Sequence, residues 1–155
     1  LIILDGAHNV SGAKALNNVL LSIGKKWQLI FGFLKTRDPL EFLNELNCVS
    51  EKIITTEIAG QSNSFSSSEL YKIIKNKGYE GEKSNSLYDA IEIASKNKLN
   101  ICICGSLYLA GEFLKINQTT QIQTSIKPVI ADRLVAKATS AVRSQRVSTA
   151  RCQTV

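Results

Sequence analysis

The chain has 155 residues, 44% of them hydrophobic and 21% charged, a length and balance that fit one globular domain with a real core rather than a disordered segment. Its longest apolar runs are strand-sized and no leader pattern opens the sequence, which excludes a membrane-spanning helix and leaves a cytoplasmic protein as the expectation. The net charge of +6 is uneven: residues 1–118 hold 13 Lys and Arg against 12 Asp and Glu, residues 119–155 hold 6 against 1, so the basic excess belongs to the tail.

Leu1 to Leu4 lack polar alternation and read as a strand buried on both faces, the kind found in parallel sheets. The run ends in Asp5-Gly6-Ala7-His8-Asn9. Gly6 permits a tight exit, Ser11 is a candidate cap, and Ala13, Ala15, Leu16, Val19 and Leu20 form a helical apolar stripe. Asp5 and His8 therefore stand at the carboxyl end of a strand and ahead of a helix, where open α/β sheets bind ligands. On this pattern alone, ligand contact and plain capping both fit.

A second apolar strand is expected from Trp27 to Leu34. Beyond it Asp38 is a natural N-cap and Pro39 a natural first residue for a helix with Leu40, Leu43 and Leu46 facing inward. A third strand near Lys52–Thr56 leads through a polar loop to a helix capped within Ser66–Ser68, carrying Leu70, Ile73 and Ile74 and stopping at Gly78. Tyr79–Lys83 reads as a short strand, Ser86 as the cap of a helix with Leu87, Ala90, Ile91 and Ala94. Leu99–Cys104 is a further strand, closed by Gly105-Ser106 before a helix through Leu109, Phe113 and Leu114, with Tyr108, Leu109 and Phe113 assigned to the core. Regular strand–helix alternation implies an α/β fold, a mainly parallel sheet with helices on both faces. Several strand ends then meet on one edge, bringing Asp5, His8, Arg37, Asp38 and Ser106 toward a common cleft.

Cys48, Cys102, Cys104 and Cys152 lack the paired spacing of zinc sites and read as reduced core thiols. The sequence contains no methionine and starts inside a strand, so upstream material is expected. After Ile116 the texture turns to Thr, Ser, Gln, Ala and Arg; residues 118–155 read as a basic tail, with a thin apolar face over Ala131–Val142. No aromatic interleaves its six basic residues, so a solvated charge run is favoured over a nucleic-acid contact.

Three segments carry a family resemblance, in order and at suitable spacing. They are Ile2-Ile3-Leu4-Asp5-Gly6-Ala7-His8-Asn9, Phe31-Gly32-Phe33-Leu34-Lys35-Thr36-Arg37-Asp38 and Cys104-Gly105-Ser106-Leu107-Tyr108-Leu109-Ala110-Gly111-Glu112. Together they resemble the carboxy-terminal domain of the bifunctional folylpolyglutamate synthase/dihydrofolate synthase, a member of the Mur ligase superfamily. Ile58-Ala59-Gly60-Gln61, Ser64 and the helix opening at Glu69-Leu70 also fit the family. The resemblance covers about residues 1–117, a Mur ligase C-terminal-like domain with a Rossmann-like fold.

The resemblance implies an ATP-dependent ligase: ATP and Mg2+ activate a carboxylate of dihydropteroate or folate as an acyl-phosphate, and the amine of L-glutamate displaces the phosphate. Most of that machinery belongs to an amino-terminal ATPase domain, and no G-x-x-x-x-G-K-[ST] occurs here. The residues carried over are those of a lid. Asp5 matches an ATP-contacting aspartate, at the ribose hydroxyls; His8 matches a histidine near the phosphates or the reacting centre and is assigned, with Arg37, a catalytic role; Asn9 matches too, on the cofactor side, although Val10 replaces the usual proline. Arg37 stands where most relatives have lysine, a planar fork in place of a point charge. Asp38 and Ser106 are assigned to the substrate side. Each has a structural alternative: Asp5 and Ser106 as caps, His8 packed under a helix start, Arg37 and Asp38 as a capped helix entrance. At the level of the whole chain, three functions stay open. It is the lid half of a folate ligase, inactive without the ATPase domain; or the inert product of a truncated or split gene; or a basic module acting through its tail.

Overall fold

A computed structural model describes residues 1–24 and 26–122. Five strands and five helices alternate: β1 (Ile2–Leu4), α1 (Val10–Ile23), β2 (Trp27–Phe31), α2 (Pro39–Glu45), β3 (Ser50–Thr55), α3 (Ser67–Asn76), β4 (Gly81–Lys83), α4 (Leu87–Ser95), β5 (Asn100–Cys104) and α5 (Leu107–Ile122). The strands form one sheet in the order β1-β5-β2-β3-β4, and every pairing is parallel. Residues 118–122, read from sequence as the start of the tail, continue α5, and the rest of the tail, including Ala131–Val142 and Cys152, lies outside the described residues.

Strand side chains alternate between faces, and the core divides accordingly. Ile3, Leu29, Phe31, Ile53, Cys102 and Cys104 pack with Ala13, Leu16 and Leu20 of α1, Phe42 and Leu43 of α2, and Leu70 and Ile74 of α3. Ile2, Ile30, Ile54, Ile101 and Ile103 face the other way, against Leu87, Ala90, Ile91 and Ala94 of α4 and Leu109 and Phe113 of α5. Both faces of the central strands are therefore covered, which is why these strands read as apolar runs without alternation.

Buried polar groups tie helix ends to the sheet. The Trp27 indole N–H donates to the carbonyls of Leu20 at 3.2 Å and Gly24 at 2.8 Å, fixing the end of α1. Gln28, fully buried on the α4 face, donates through Nε2 to the Ala94 carbonyl at 2.7 Å, and its Oε1 accepts from Asn97 Nδ2 at 3.1 Å. A polar side chain inside a central strand is thus satisfied by the carbonyl at the end of α4, which also accepts from Asn97 N at 3.2 Å.

Several local expectations need correction. Asn9, not Ser11, caps α1: its backbone is extended and its Oδ1 accepts from Gly12 N at 2.8 Å, so Ser11 already lies inside the helix. Ala15 is exposed, leaving Ala13, Leu16 and Leu20 as the buried stripe of α1. In α2 the buried residues are Pro39, Phe42 and Leu43, with Leu40 only half-buried, because entry through Pro39 sets a different rotation. β2 stops at Phe31, since Gly32 and the following turn leave the ladder. Leu114 is exposed, and so is Tyr108, whose ring lies at the sheet's rim rather than in the core.

Cys102 and Cys104 are buried thiols, whereas Cys48 is exposed, at a turn rather than in the core. The hydrogen bond with Cys104 and complete burial hold the Cys102 thiol well above the usual thiol range, so it stays protonated and packs as a small hydrophobe. Among the described residues no helix is long and apolar enough to cross a membrane.

Candidate functional site at the carboxyl rim of the sheet

With all strands parallel, the turns after β1, β2 and β5 emerge on one rim, and β5 sits between the other two. The helices that follow β1 and β2 pack on one face and the helix that follows β5 on the other. Neighbouring connections therefore diverge around the end of β5, which opens a crevice at a topological switch point. An open cavity of about 230 Å³ lies there, lined by His8, Phe33, Leu34, Thr36, Arg37, Gly105, Ser106, Leu107 and Tyr108.

The turn after β1 is locked locally. Asp5 N donates to the Ile103 carbonyl at 2.9 Å, and Asp5 Oδ1 accepts from Ala7 N at 2.7 Å. The carboxylate thus folds the chain back so that His8 leaves the strand tip on the cavity side. His8 Nδ1 lies 2.9 Å from the Gly6 carbonyl oxygen, and the ring is exposed. A carbonyl only accepts, so Nδ1 carries the proton, and Nε2 is the outward nitrogen with an available lone pair in the neutral ring.

The turn after β5 depends on Gly105. Its φ is +105°, and a Cβ there would stand 2.5 Å from the Gly32 carbonyl oxygen and under 3 Å from the Phe31 ring. Only glycine lets the turns after β2 and β5 approach so closely. Gly105 N also donates to the Ala7 carbonyl at 3.0 Å, so the three turns are joined through one residue. Ser106 is buried and caps α5, its Oγ accepting from Tyr108 N at 3.1 Å. Leu107 and Tyr108 then emerge as a largely exposed wall, 64% and 56% accessible. The side chain of Leu107 lies over Gly6, with Cδ2 2.3 Å from where a Cβ would be.

Three of the expected site residues, His8, Arg37 and Ser106, thus line one cleft, each from a different strand end. Asp5, Asn9 and Asp38 flank it without lining it. Asp38 caps α2, with Oδ1 accepting from Leu40 N at 2.8 Å, and Asn9 caps α1. Sequence reasoning missed the apolar wall of Phe33, Leu34, Leu107 and Tyr108, although these residues sit within the very segments that marked the strand ends. Apolar residues directly after a strand end were the available signal, although of these four only Leu107 and Tyr108 are exposed. Among the described residues, no group of three or more His, Cys, Asp or Glu stands together to hold a metal ion.

Comparisons with known proteins agree with this fold. The sequence profile of the dihydrofolate synthetase C-terminal domain matches residues 1–116. Among curated protein sequences none matches significantly. Among solved structures, the chain is similar to Escherichia coli FolC in complex with DHPP and ADP, with a TM-score of 0.69 and 18% identity over 77% of this chain and 29% of that one. It is also similar to the bifunctional folylpolyglutamate synthase/dihydrofolate synthase of Yersinia pestis complexed with AMPPNP and Mn ion, with a TM-score of 0.67 and 19% identity over 76% of this chain and 28% of that one. A third similarity is to Mycobacterium tuberculosis folylpolyglutamate synthase complexed with ADP and AMPPCP, with a TM-score of 0.65 and 22% identity over 72% and 28%. The chain spans under a third of the length of each of these proteins. At such identities the likeness establishes the fold, and the profile match over three quarters of the chain establishes the family. The chain belongs to the dihydrofolate synthetase C-terminal domain family.

Proposed function

We propose that residues 1–117 act as the lid of an ATP-dependent folate ligase that joins L-glutamate to dihydropteroate or folate, and that turnover requires an amino-terminal ATPase domain. The observation that carries this reading is the convergence of His8, Arg37 and Ser106, one from each family-like segment, on a single cleft at the carboxyl rim. The basic tail, residues 118–155, has no part in the reaction on this reading.

The residues of the cleft suit a nucleotide with its phosphates. Arg37 brings a permanent cation with a planar set of donors that matches phosphate oxygens two at a time. His8, its Nδ1 proton held by Gly6, turns Nε2 outward to take a proton from an amine or, when protonated, to donate to an anion. Phe33, Leu34, Leu107 and Tyr108 supply an apolar wall that would exclude water and strengthen those charge contacts once the ATPase domain covers the cleft. Asp5 is assigned to the nucleotide, Asn9 to the shape of the turn beneath it, and Asp38 and Ser106 to the side where the amino acid enters. ATP, when bound, supplies the phosphoryl group that activates the carboxylate. Most of the magnesium ligands are assigned to the ATPase domain, as the family resemblance implies.

The test combines the purified chain with a separately expressed ATPase domain of the same family and follows phosphate release that depends on both dihydropteroate and glutamate. Turnover is expected only with both parts present. Arg37→Met should lower it at least about tenfold and Arg37→Lys less, the loss of a charge-assisted contact being on the order of 1.5–3 kcal/mol. Absence of turnover on complementation, with Arg37→Met indistinguishable from the parent in binding ATP, would replace this reading with that of an inert fold.

A further inference from the structure

We propose that Lys35 and Glu69, which lie outside the cleft, form a clamp that positions Arg37 within it; the proposal rests on the cleft reading above. Of the run from Phe33 to Arg37, Lys35 alone is not part of the cleft wall. Its side chain goes to the β3–α3 connection instead, where Nζ meets Glu69 Oε1 at 2.9 Å and lies 5.7 Å from the centre of the Phe65 ring.

The backbone follows the same route. Lys35 N donates to the Asn63 carbonyl at 2.8 Å, Phe65 N donates to the Phe33 carbonyl at 2.9 Å, and Leu34 and Ser64 form an antiparallel bridge. A two-residue ribbon thus joins the connection after β2 to the connection after β3. Glu69 fastens it from the other side: Oε1 takes Lys35, while Oε2 accepts from Ser66 N at 2.7 Å and Ser66 Oγ at 2.9 Å, closing the capping box of α3. One carboxylate therefore serves the helix start and the ribbon together.

Arg37 lies between this clamp and a second anchor, Asp38, which caps α2. Two residues separate the anchors, so a guanidinium on that short span has a limited reach as long as both hold. The ion pair is about half exposed on each side, so it adds little to global stability. Its effect is local: it lowers the freedom of the segment that presents the cation, and pre-organisation of that kind is read in binding rather than in unfolding. Lys35 is in these terms a positioning residue, acting through Arg37.

The test uses the full chain with Lys35→Met, Glu69→Gln and Lys35→Arg. Glutamine keeps an acceptor for Ser66 N and removes only the charge. With Lys35→Met and Glu69→Gln, amide exchange at Lys35 and Phe65 should rise at least about tenfold, while the amide of Ile103 in β5 is unchanged, as expected for local opening. ATP affinity measured by calorimetry should fall roughly threefold to tenfold without a matching change in thermal midpoint, and Lys35→Arg should restore it, an ordering cost of that size being normal for one long side chain. Unchanged exchange at both amides overturns the clamp. Faster exchange with unaltered ATP affinity overturns its positioning role. Should the parent chain bind no ATP by itself, as the lid reading allows, the Nε–H resonance of Arg37 decides the clamp: a shift in Lys35→Met supports it and an unmoved signal refutes it.

Discussion

Replacement of Gly105 by alanine tests the contact on which the cleft depends. The residue has a φ of +105°, a conformation that costs a residue with a side chain on the order of 1–3 kcal/mol. The added methyl would also stand 2.5 Å from the Gly32 carbonyl oxygen and 2.8 Å from the Phe31 ring. Both are rigid: one is backbone, and the other is a buried ring stacked on Phe33 and Phe42. Relief requires the turns after β2 and β5 to separate, an overpacking cost of roughly another 1–3 kcal/mol. Gly105→Ala should therefore lose about 2–6 kcal/mol in urea unfolding and lower the thermal midpoint by at least about 4 °C. Gly60 and Gly78 supply the internal standard, with φ of +73° and +84° and nothing within 4 Å of an added Cβ. Gly60→Ala and Gly78→Ala should each cost only the backbone part, about 1–2 kcal/mol. If Gly105→Ala unfolds at the same urea concentration as Gly60→Ala, the close approach of the two turns is not a constraint, and the description of the cleft falls with it.

Two further outcomes follow from buried and charged groups. Gln28→Ala removes one of the donors to the Ala94 carbonyl, which keeps its bond from Asn97 N, and leaves the Asn97 side-chain amide without its acceptor, so it should destabilise by about 1–3 kcal/mol in urea, combining a lost buried hydrogen bond with a small cavity. Gln28→Glu should be at least as damaging, since it places a carboxylate against a carbonyl; equal stability of either variant and the parent would show that the amide does not hold the end of α4. The second outcome concerns acid. Lys35, together with Ser66, holds the Glu69 carboxyl at about 2, down from an ordinary 4.5. A carboxyl lowered in the folded state adds stability that is complete above its unfolded value and is lost as pH falls through its folded value. Because the pair is about half exposed, the difference in urea midpoint between the parent and Glu69→Gln should be small; it should be constant above about pH 5 and close between about 4.5 and 2, more weakly in high salt. A difference that stays constant down to pH 2 would show that Glu69 is not charged against Lys35.

What the sequence made legible, and what it did not, divides along a physical line. Strand–helix alternation was readable because a parallel strand covered on both faces has no reason to alternate, so Leu29, Ile30 and Phe31 or Ile101 to Cys104 stand out as unbroken apolar runs. Caps with one plausible acceptor, such as Asp38 before Pro39 or Ser86 before Leu87, were readable for the same local reason. Where two polar residues competed, as Asn9 and Ser11 did, the choice lay in backbone angles that local composition does not specify. Tyr108 was placed in the core from its spacing with Leu109 and Phe113, yet spacing gives a face of α5 and not what covers its first turn. The cleft shows the same division more sharply. His8, Arg37 and Ser106 could be named from their segments, because each follows a strand and the rim gathers strand ends. Their relation to one another could not, because it is set by pairs far apart in the chain: Gly105 with Ala7 and Gly32, Leu34 with Ser64, Lys35 with Glu69. None of these pairs has a period or a local propensity to betray it. A motif therefore identifies which side chains reach a site, while the turn-to-turn contacts determine whether they arrive in a usable arrangement.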